Sequence, residues 1–132
     1  MCTRWLPFLV LVACAAPTTH RKAQGALGPY SGSVAAHGFV FCSGKIGTRG
    51  GSFETEFETA LDAVEAELAR AGLDLSHAVN VTVFVTDLAL YEELNRIYAR
   101  RFPAPYPART TVGVDALPGG ARVEISVIAR PG

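Results

Sequence analysis

The sequence is poor in cysteine, and its most apolar stretch is short. Three cysteines in 132 residues are too few for the disulfide frameworks that hold many small secreted domains together. The apolar run Trp5 to Ala13 is much shorter than the ~20 residues that a membrane-spanning helix requires. These features exclude a disulfide-stapled scaffold and a bilayer-spanning helix at the apolar run. The chain has room for one globular domain.

An excess of positive charge is also missing. The 12 basic residues are balanced by 12 acidic ones, whereas proteins that bind the phosphate backbone are usually basic. Six acids lie in one segment that contains no base, and this segment would repel nucleic acid, so we expect no nucleic-acid partner. The alternative interpretation of the segment is an ordinary solvated helix surface. The six residues are Glu54, Glu56, Glu58, Asp62, Glu65 and Glu67.

The N-terminal residues indicate export. Arg4 precedes the apolar run, as in a signal peptide, and the sequence LVAC ending at Cys14 resembles the bacterial lipoprotein box. We therefore expect a signal peptide at 1–13, a lipidated Cys14 with a flexible tether at 14–27, and a folded domain at 28–132. The expected location is the bacterial cell envelope, with membrane attachment through the lipid on Cys14. The alternative is a cytoplasmic protein whose start codon is misassigned.

Hydrophobic periodicity predicts two helices. Apolar residues recur every three or four positions from Phe53 to Ala71, and Ser52 and Gly72 supply the start and stop signals. A second helix is expected to begin at Asp87 and to end before Pro103. The predicted order β-β-α-β-α-β-β describes an α+β sandwich, with one mixed sheet and both helices on one of its faces. Strands are expected at 34–36, 39–42 and 78–85, and on both sides of the turn at 115–120.

The two final strands each carry a charged residue among apolar ones, Arg109 and Glu124. If the segment DALPGG closes an antiparallel hairpin, Arg109, Thr111 and Glu124 project from one face within a few ångströms of each other. A one-residue slip in register would separate them. The cluster is either a salt bridge at a sheet edge or oligomer contact, or an anion site in which the planar guanidinium grips a carboxylate beside a base.

The resemblance to a known family rests on GPYSGSV (28–34), FVFCSGKIG (39–47), VTVFVTDL (81–88) and YPARTTVGVDALPGGARVEI (106–125). From about residue 26 onward, the chain resembles the Rid/YjgF family, the reactive intermediate deaminases. This resemblance implies a chorismate-mutase-like α+β fold and a homotrimer with three clefts between subunits. Members that keep the arginine hydrolyse enamines and imines of 2-oxo acids, such as 2-aminoacrylate, to the oxo acid and ammonia, with no metal or organic cofactor.

The resemblance also implies roles for individual residues. Arg109 would hold the substrate carboxylate, and Glu124 would position and deprotonate the attacking water as a general base. An imine is already electrophilic, so holding it beside one oriented water is sufficient chemistry for such a sparse site.

Five further positions match the substrate pocket of the family. Tyr30 would line the pocket, and Gly44 would present backbone groups to the substrate, because an absent side chain allows close approach. Ser43 and Asn95 also match pocket-lining positions. Thr111 stands where many relatives carry cysteine, so its hydroxyl is available for hydrogen bonding but no thiol nucleophile is present.

Two departures from the family pattern are Gly32 and Lys45, each at a position where glutamine is common. Lys45 either adds a cation near the carboxylate end of the cleft or faces solvent. An exported member would meet other imines than those made by cytosolic enzymes. It would alternatively serve as a non-catalytic small-carboxylate-binding module.

The remaining reactive side chains fit structural roles. The histidines show no metal-ligand spacing, and Cys42, in an apolar strand, is expected to be buried. Tyr91 and Tyr98 lie at helical spacing and are expected in the core. The histidines are His20, His37 and His77.

Overall fold

Residues 16–132, which this computed structural model describes, form one six-stranded sheet and two α-helices. The strands are β1 (Thr19–Lys22), β2 (Ser31–Ala36), β3 (Phe39–Ile46), β4 (Ala78–Val85), β5 (Ala108–Gly113) and β6 (Val123–Ala129), and the helices are α1 (Phe53–Ala69) and α2 (Tyr91–Arg101). The sheet is mixed, with spatial order β1-β2-β3-β6-β4-β5, and all neighbours are antiparallel except β4 and β5. Short 3₁₀ turns occur at Leu75–His77, Leu88–Leu90 and Pro118–Gly120.

Helix α1 begins and ends where the sequence signals predict. The Ser52 hydroxyl accepts a hydrogen bond from the Thr55 backbone N–H at 3.1 Å, which satisfies one of the free donors of the first turn. Gly72, with φ of +73°, follows the last turn, and the Leu73 N–H returns to the Leu68 carbonyl. The predicted apolar stripe is buried against the sheet, which confirms the prediction of this helix.

Helix α2 is preceded by a separate turn. Asp87 accepts a hydrogen bond from Ala89 N at 2.9 Å and caps the 3₁₀ turn Leu88–Leu90, after which the α-helix begins at Tyr91. It ends at Arg101, and the extended Phe102 leads into Pro103. The predicted helix is therefore present, but its regular part starts later than Asp87.

The core lies between the two helices and one face of the sheet. Alternate residues of the central strands are buried there, as the period of two in a strand requires. Each such aliphatic side chain contributes about 1.5–3 kcal/mol relative to full exposure. The predicted placement of both helices on one face is confirmed. The buried strand residues include Val81, Val83, Val85, Val123, Ile125 and Val127.

The folded domain starts earlier than predicted. Thr19–Lys22 forms the edge strand β1, paired antiparallel with β2, within the range 14–27 that was expected to be a flexible tether. The predicted signal peptide and Cys14 lie outside the described residues. None of the described helices is both long and apolar enough to cross a membrane.

The predicted hairpin between the last two strands is wrong. Strand β5 pairs parallel with β4, while β6 lies between β3 and β4. The chain leaves β4, crosses over through α2 and returns in the same direction, which is the connection that parallel neighbours require. Strand β6 is buried at every second residue and takes a central position, whereas the more polar β5 occupies the edge.

Candidate active site

Glu124 lies beside an irregular part of strand β3. Cys42 pairs with Val127 and Lys45 with Ile125, so that Ser43 and Gly44 together face a single residue of β6. This is a β-bulge, which turns the strand locally. A Cβ atom added at Gly44 would overlap the Glu124 carboxylate, so the absent side chain creates the space that this carboxylate occupies.

A cleft of about 440 Å³ opens around the Glu124 carboxylate. The Ser43 hydroxyl in its wall donates to the Ser31 carbonyl at 2.6 Å and is thereby fixed. The phenol of Tyr30 accepts a long hydrogen bond, 3.4 Å, from Leu27 N. Within residues 16–132 the Glu124 carboxylate has no salt bridge. We call this set the carboxylate half-site; it consists of Tyr30, Ser43, Gly44, Pro118 and Glu124.

Arg109 is oriented by helix α2. Its Nη2 donates to Asn95 Oδ1 at 2.7 Å and to the Tyr91 hydroxyl at 3.2 Å. Its guanidinium carbon lies 4.6 Å from the centre of the Tyr98 ring, a cation–π distance. Burial raises the pKa of Tyr98 to about 12, against the opposing effect of Arg109. The guanidinium is thus held on one side and presents its other donors outward.

A second cleft, of about 450 Å³, opens at Arg109. The hydroxyls of Thr111 and Tyr98 are buried and have no hydrogen-bond partner within the described residues. Such groups are usually satisfied by water or ligand. We call this set the arginine half-site; it consists of Leu88, Tyr91, Asn95, Arg109 and Thr111.

Tyr91 is a site residue that the sequence interpretation missed. It was expected in the core together with Tyr98; Tyr98 is buried, but Tyr91 is 42% exposed and contacts Arg109. The spacing of Tyr91, Asn95 and Tyr98 at i, i+4 and i+7 places all three on one helix face. That spacing is the signal that could have linked Tyr91 to the predicted pocket residue Asn95.

Arg109 and Glu124 do not meet within one chain. Arg109 is in register with Val81, which is buried on the helix side of the sheet. Glu124 is in register with Phe84, three residues further along β4 and therefore on the opposite face. The expected cluster of Arg109, Thr111 and Glu124 on one face is therefore wrong, because β4 separates the two strands and the register places the charges on opposite sides.

Both expectations for Lys45 are also wrong. Its side chain is 15% exposed and lies 3.4 Å from the Glu67 carboxylate on the helix side of the sheet. It therefore neither faces solvent nor lies in the cleft beside Glu124.

Several acidic residues of α1 form ion pairs with arginines of α2. Arg100 pairs with Glu54 and Glu58, and Arg101 with three acids along α1. These arginines come from α2, so charges distant in sequence neutralise each other. The partners of Arg101 are Glu58, Asp62 and Glu65. Glu56 is buried and pairs with Arg122 at 2.7 Å.

Cys42 is buried, as predicted. Burial raises the pKa of its thiol to about 11, partly offset by the charge of Lys45. His77 Nδ1 accepts a hydrogen bond from the Asp74 backbone N–H at 3.2 Å and lies 3.0 Å from Asp74 Oδ1, which places it in the cap of a 3₁₀ turn. Among residues 16–132, no group of three or more His, Cys, Asp or Glu side chains is arranged to hold a metal ion.

The fold and the two half-sites describe an α+β protein of the YjgF-like class, with one mixed sheet and two helices on one face. Residues 20–130 match the family model described as Endoribonuclease L-PSP. The chain belongs to this family. Its structure is also similar to those of a Rid family protein from Yersinia pestis and a YjgF family member from Neisseria meningitidis.

Two relatives with assigned activities illustrate the match. The chain is 43% identical over 115 residues to the chloroplastic Reactive Intermediate Deaminase A of Arabidopsis thaliana, covering 82% of this chain and 62% of the plant protein. It is 36% identical over 118 residues to human 2-iminobutanoate/2-iminopropanoate deaminase, covering 84% and 86% of the two chains. These names associate the family with deamination.

The chain is also similar to solved structures of related proteins. Yeast Mmf1 superposes with a TM-score of 0.82 and 32% identity, covering 88% of this chain and 100% of that chain. RidA from an Antarctic Psychrobacter species superposes with a TM-score of 0.79 and 34% identity, covering 83% and 94%.

Proposed function

We propose that this protein is a hydrolytic deaminase that converts enamine and imine derivatives of 2-oxo acids to the 2-oxo acid and ammonia. The names of similar proteins support a deaminase activity. The observation that carries the proposal is the pair of half-sites, one with an oriented guanidinium and one with a carboxylate that lies beside a glycine and forms no salt bridge within residues 16–132. Neither half-site alone contains both charges.

The two half-sites form one site when a second copy of the chain supplies the missing half. Since Arg109 and Glu124 face opposite sides of the sheet, a head-to-tail contact would bring the arginine half-site of one subunit to the carboxylate half-site of the next. A ring of three such contacts is a homotrimer with three identical clefts. The uncovered sheet face, where Phe41 is 44% exposed, provides apolar surface for this assembly.

In the assembled cleft, Arg109 binds the substrate carboxylate. The hydrogen bond to Asn95 and the contact with Tyr98 fix the guanidinium before the ligand arrives, so little side-chain freedom is lost on binding. The Thr111 hydroxyl, which has no partner in the described chain, is available to a polar atom of the ligand. The resulting site selects small acids over neutral carbonyl compounds.

Glu124 acts on water. An enamine first tautomerises to the imine, whose C2 is electrophilic. A water held by Glu124 attacks C2 while the carboxylate takes one proton, and the carbon–nitrogen π electrons move to nitrogen. Glu124 then passes this proton to nitrogen, which gives a carbinolamine. The hydroxyl proton of the carbinolamine moves to nitrogen through the same carboxylate, the C–N bond breaks, and ammonia leaves as the hydroxyl oxygen becomes the carbonyl of the 2-oxo acid. Gly44 allows this approach because it places no side chain between carboxylate and substrate.

A trapping assay tests the proposal. An L-amino acid oxidase generates 2-imino acids, semicarbazide traps the free imine, and a deaminase lowers semicarbazone formation. We expect wild type to lower it and Arg109→Ala to lose the effect by at least about 100-fold. Arg96→Ala is the matched control, because Arg96 is an exposed arginine next to Asn95 on the same helix. Equal rates for wild type and Arg109→Ala would exclude catalysis at this site.

The same assay separates catalysis from simple binding. If the protein binds 2-oxobutanoate by calorimetry but does not accelerate imine loss, it is a carboxylate-binding module.

RNA cleavage is the second candidate, because the matching family is described as an endoribonuclease family. Arg100 and Arg101 are occupied by acids of α1, which disfavours binding of the RNA backbone at that face. Incubation with single-stranded RNA, with Arg109→Ala beside wild type, tests this activity.

Export and lipid attachment at Cys14 are part of the proposal and are supported by the sequence LVAC, which closes the apolar run. Mass spectrometry of the protein from its native membrane fraction tests them. A diacylglyceryl group on Cys14 is expected, whereas an N-terminus that retains Met1 would indicate a cytoplasmic protein.

A further inference from the structure

A buried ionic cluster lies behind the bulge that carries Ser43 and Gly44. Lys45, the next residue of β3, points to the helix side of the sheet, where its Nζ lies 3.4 Å from Glu67 Oε2. The side chain of Glu67 is 5% exposed. A buried carboxylate is stable only if its oxygens accept hydrogen bonds or form ion pairs.

The Glu67 carboxylate gathers partners from several elements. Ser33 of β2 donates to Oε1 at 2.7 Å, and Arg70 donates to both oxygens at 3.1 Å. Arg70 also donates to the Lys22 carbonyl of β1 at 2.9 Å. Burial raises the pKa of Glu67, but the hydrogen bond from Ser33 and the charges of Lys45 and Arg70 outweigh it, so the pKa lies below its ordinary value.

Gly32 makes room for this cluster. A Cβ atom at residue 32 would lie 2.6 Å from Glu67 Oε2 and 2.9 Å from its Cδ. The Glu67 carboxylate can therefore occupy its position only because residue 32 has no side chain. Gly32 and Lys45 both lie beside the Glu67 carboxylate.

The ionic cluster around Glu67 holds the β3 bulge from the helix side of the sheet. Ser43 is held from one side by its hydrogen bond to Ser31, and Lys45 is held from the other by Glu67. Gly44 lies between them, against Glu124. Movement of Lys45 would change the direction of the bulge and hence the space that the Glu124 carboxylate occupies.

We propose that Glu67 is a positioning residue, which acts through Lys45 and the β3 bulge to hold Gly44 and Glu124 in the orientation that activates water. This inference depends on the proposed deaminase function, since it assigns Glu67 to the same site from the opposite side of the sheet. Glu67 itself does not touch the substrate.

The experiment compares Glu67→Gln and Lys45→Met with wild type in the semicarbazone assay, with kcat and KM measured across pH. We expect kcat to fall by about tenfold or more in both variants, because a displacement near 1 Å at a reacting group has effects of this size. We expect KM for the imino acid to change little, since Arg109 is untouched, and the acidic limb of the pH profile to shift. Lys45→Arg, which keeps the ion pair, should restore kcat.

Arg101→Gln is the matched control, because it breaks an ion-pair network between α1 and α2 that includes no residue of β3. A merely structural Glu67 would behave like Arg101, with a lower melting temperature but an unchanged kcat and pH profile, and that result would overturn the inference. If Glu67→Gln does not fold, Lys45→Met decides alone. Wild type without activity would instead refute the proposed function.

Discussion

The carboxylate of Glu124 occupies the space into which a Cβ atom of residue 44 would project. This contact joins β6 to the bulge of β3 and depends on the absence of one methyl group. The identity of residue 44 therefore controls the position of the proposed general base.

Gly44→Ala tests this contact. The added methyl group must displace the Glu124 carboxylate, so we expect kcat of imine hydrolysis to fall by about 100-fold while the fold is kept. The measurement is the semicarbazone assay together with thermal unfolding. Gly51→Ala is the control, because a Cβ atom there makes only ordinary contacts with Thr55, from 3.4 Å. Full activity of Gly44→Ala would show that Glu124 tolerates displacement.

Mixing two inactive variants tests the intersubunit site. Arg109→Ala and Glu124→Gln should each be inactive alone. If every cleft takes Arg109 from one subunit and Glu124 from the next, random mixed trimers should recover about a quarter of wild-type activity. The variants are unfolded together, refolded and assayed beside a mixture prepared without unfolding. Absence of recovery in mixed trimers confirmed by mass spectrometry would contradict a shared site.

Cys42 should be unreactive in the folded protein. Its pKa of about 11, against an ordinary 9.0, reduces the thiolate at pH 8 about 100-fold, and burial further blocks access. Peptide mass spectrometry after iodoacetamide treatment should find Cys42 unmodified until denaturant is added. Rapid labelling of native protein would contradict this burial.

The raised pKa of the Cys42 thiol also predicts that the stability of the fold depends on pH. The raised pKa means that the contribution of the Cys42 thiol is fully present below pH 9 and is lost as pH rises from 9 to about 11. Thermal unfolding across this interval should show a decline that Cys42→Ala reduces. An equal decline in the thermal stability of wild type and Cys42→Ala would show that other titrating groups cause it.

Arg101→Gln should weaken the packing of α2 on α1. Arg101 contacts acids on successive turns of α1, but part of the network is exposed, so we expect a loss of about 1 kcal/mol in the free energy of unfolding. Urea unfolding at low and at 1 M salt measures it. The difference from wild type should shrink at high salt because screening weakens the pairs; a difference independent of salt would indicate a packing effect.

Local sequence signals predicted most of the elements but not the order of the strands. The apolar spacing that begins at Phe53, with Ser52 before it and Gly72 after it, was sufficient for α1, since capping and periodicity are local properties. The β5–β6 hairpin was wrong because a turn after a strand does not determine which strand becomes its neighbour. The polar character of β5 beside the alternating burial of β6 was an available indication that β5 lies at an edge.

The strand pattern singled out Arg109 and Glu124, and family resemblance supplied the other candidate site residues, but their arrangement required the structure. The residues next to Arg109 in the sequence do not indicate that α2 orients its side chain. The only available signal was that Tyr91 and Asn95 share one face of α2. The ion pair of Lys45 could not be predicted either, because its partner Glu67 is 22 residues away on another element. Such pairings depend on long-range packing rather than on local pattern.

The parallel pairing of β4 with β5 has an evolutionary consequence. It places Arg109, the proposed ligand-binding cation, in the β4–α2–β5 unit, while Glu124, the proposed general base, belongs to the β2–β3–β6 portion supported by α1. Substitutions that retune preference for one acid over another can thus accumulate on α2 without disturbing the hydrolytic machinery. If the proposed intersubunit site is correct, a solitary subunit is inert, and turnover per polypeptide should vanish when dilution separates the subunits.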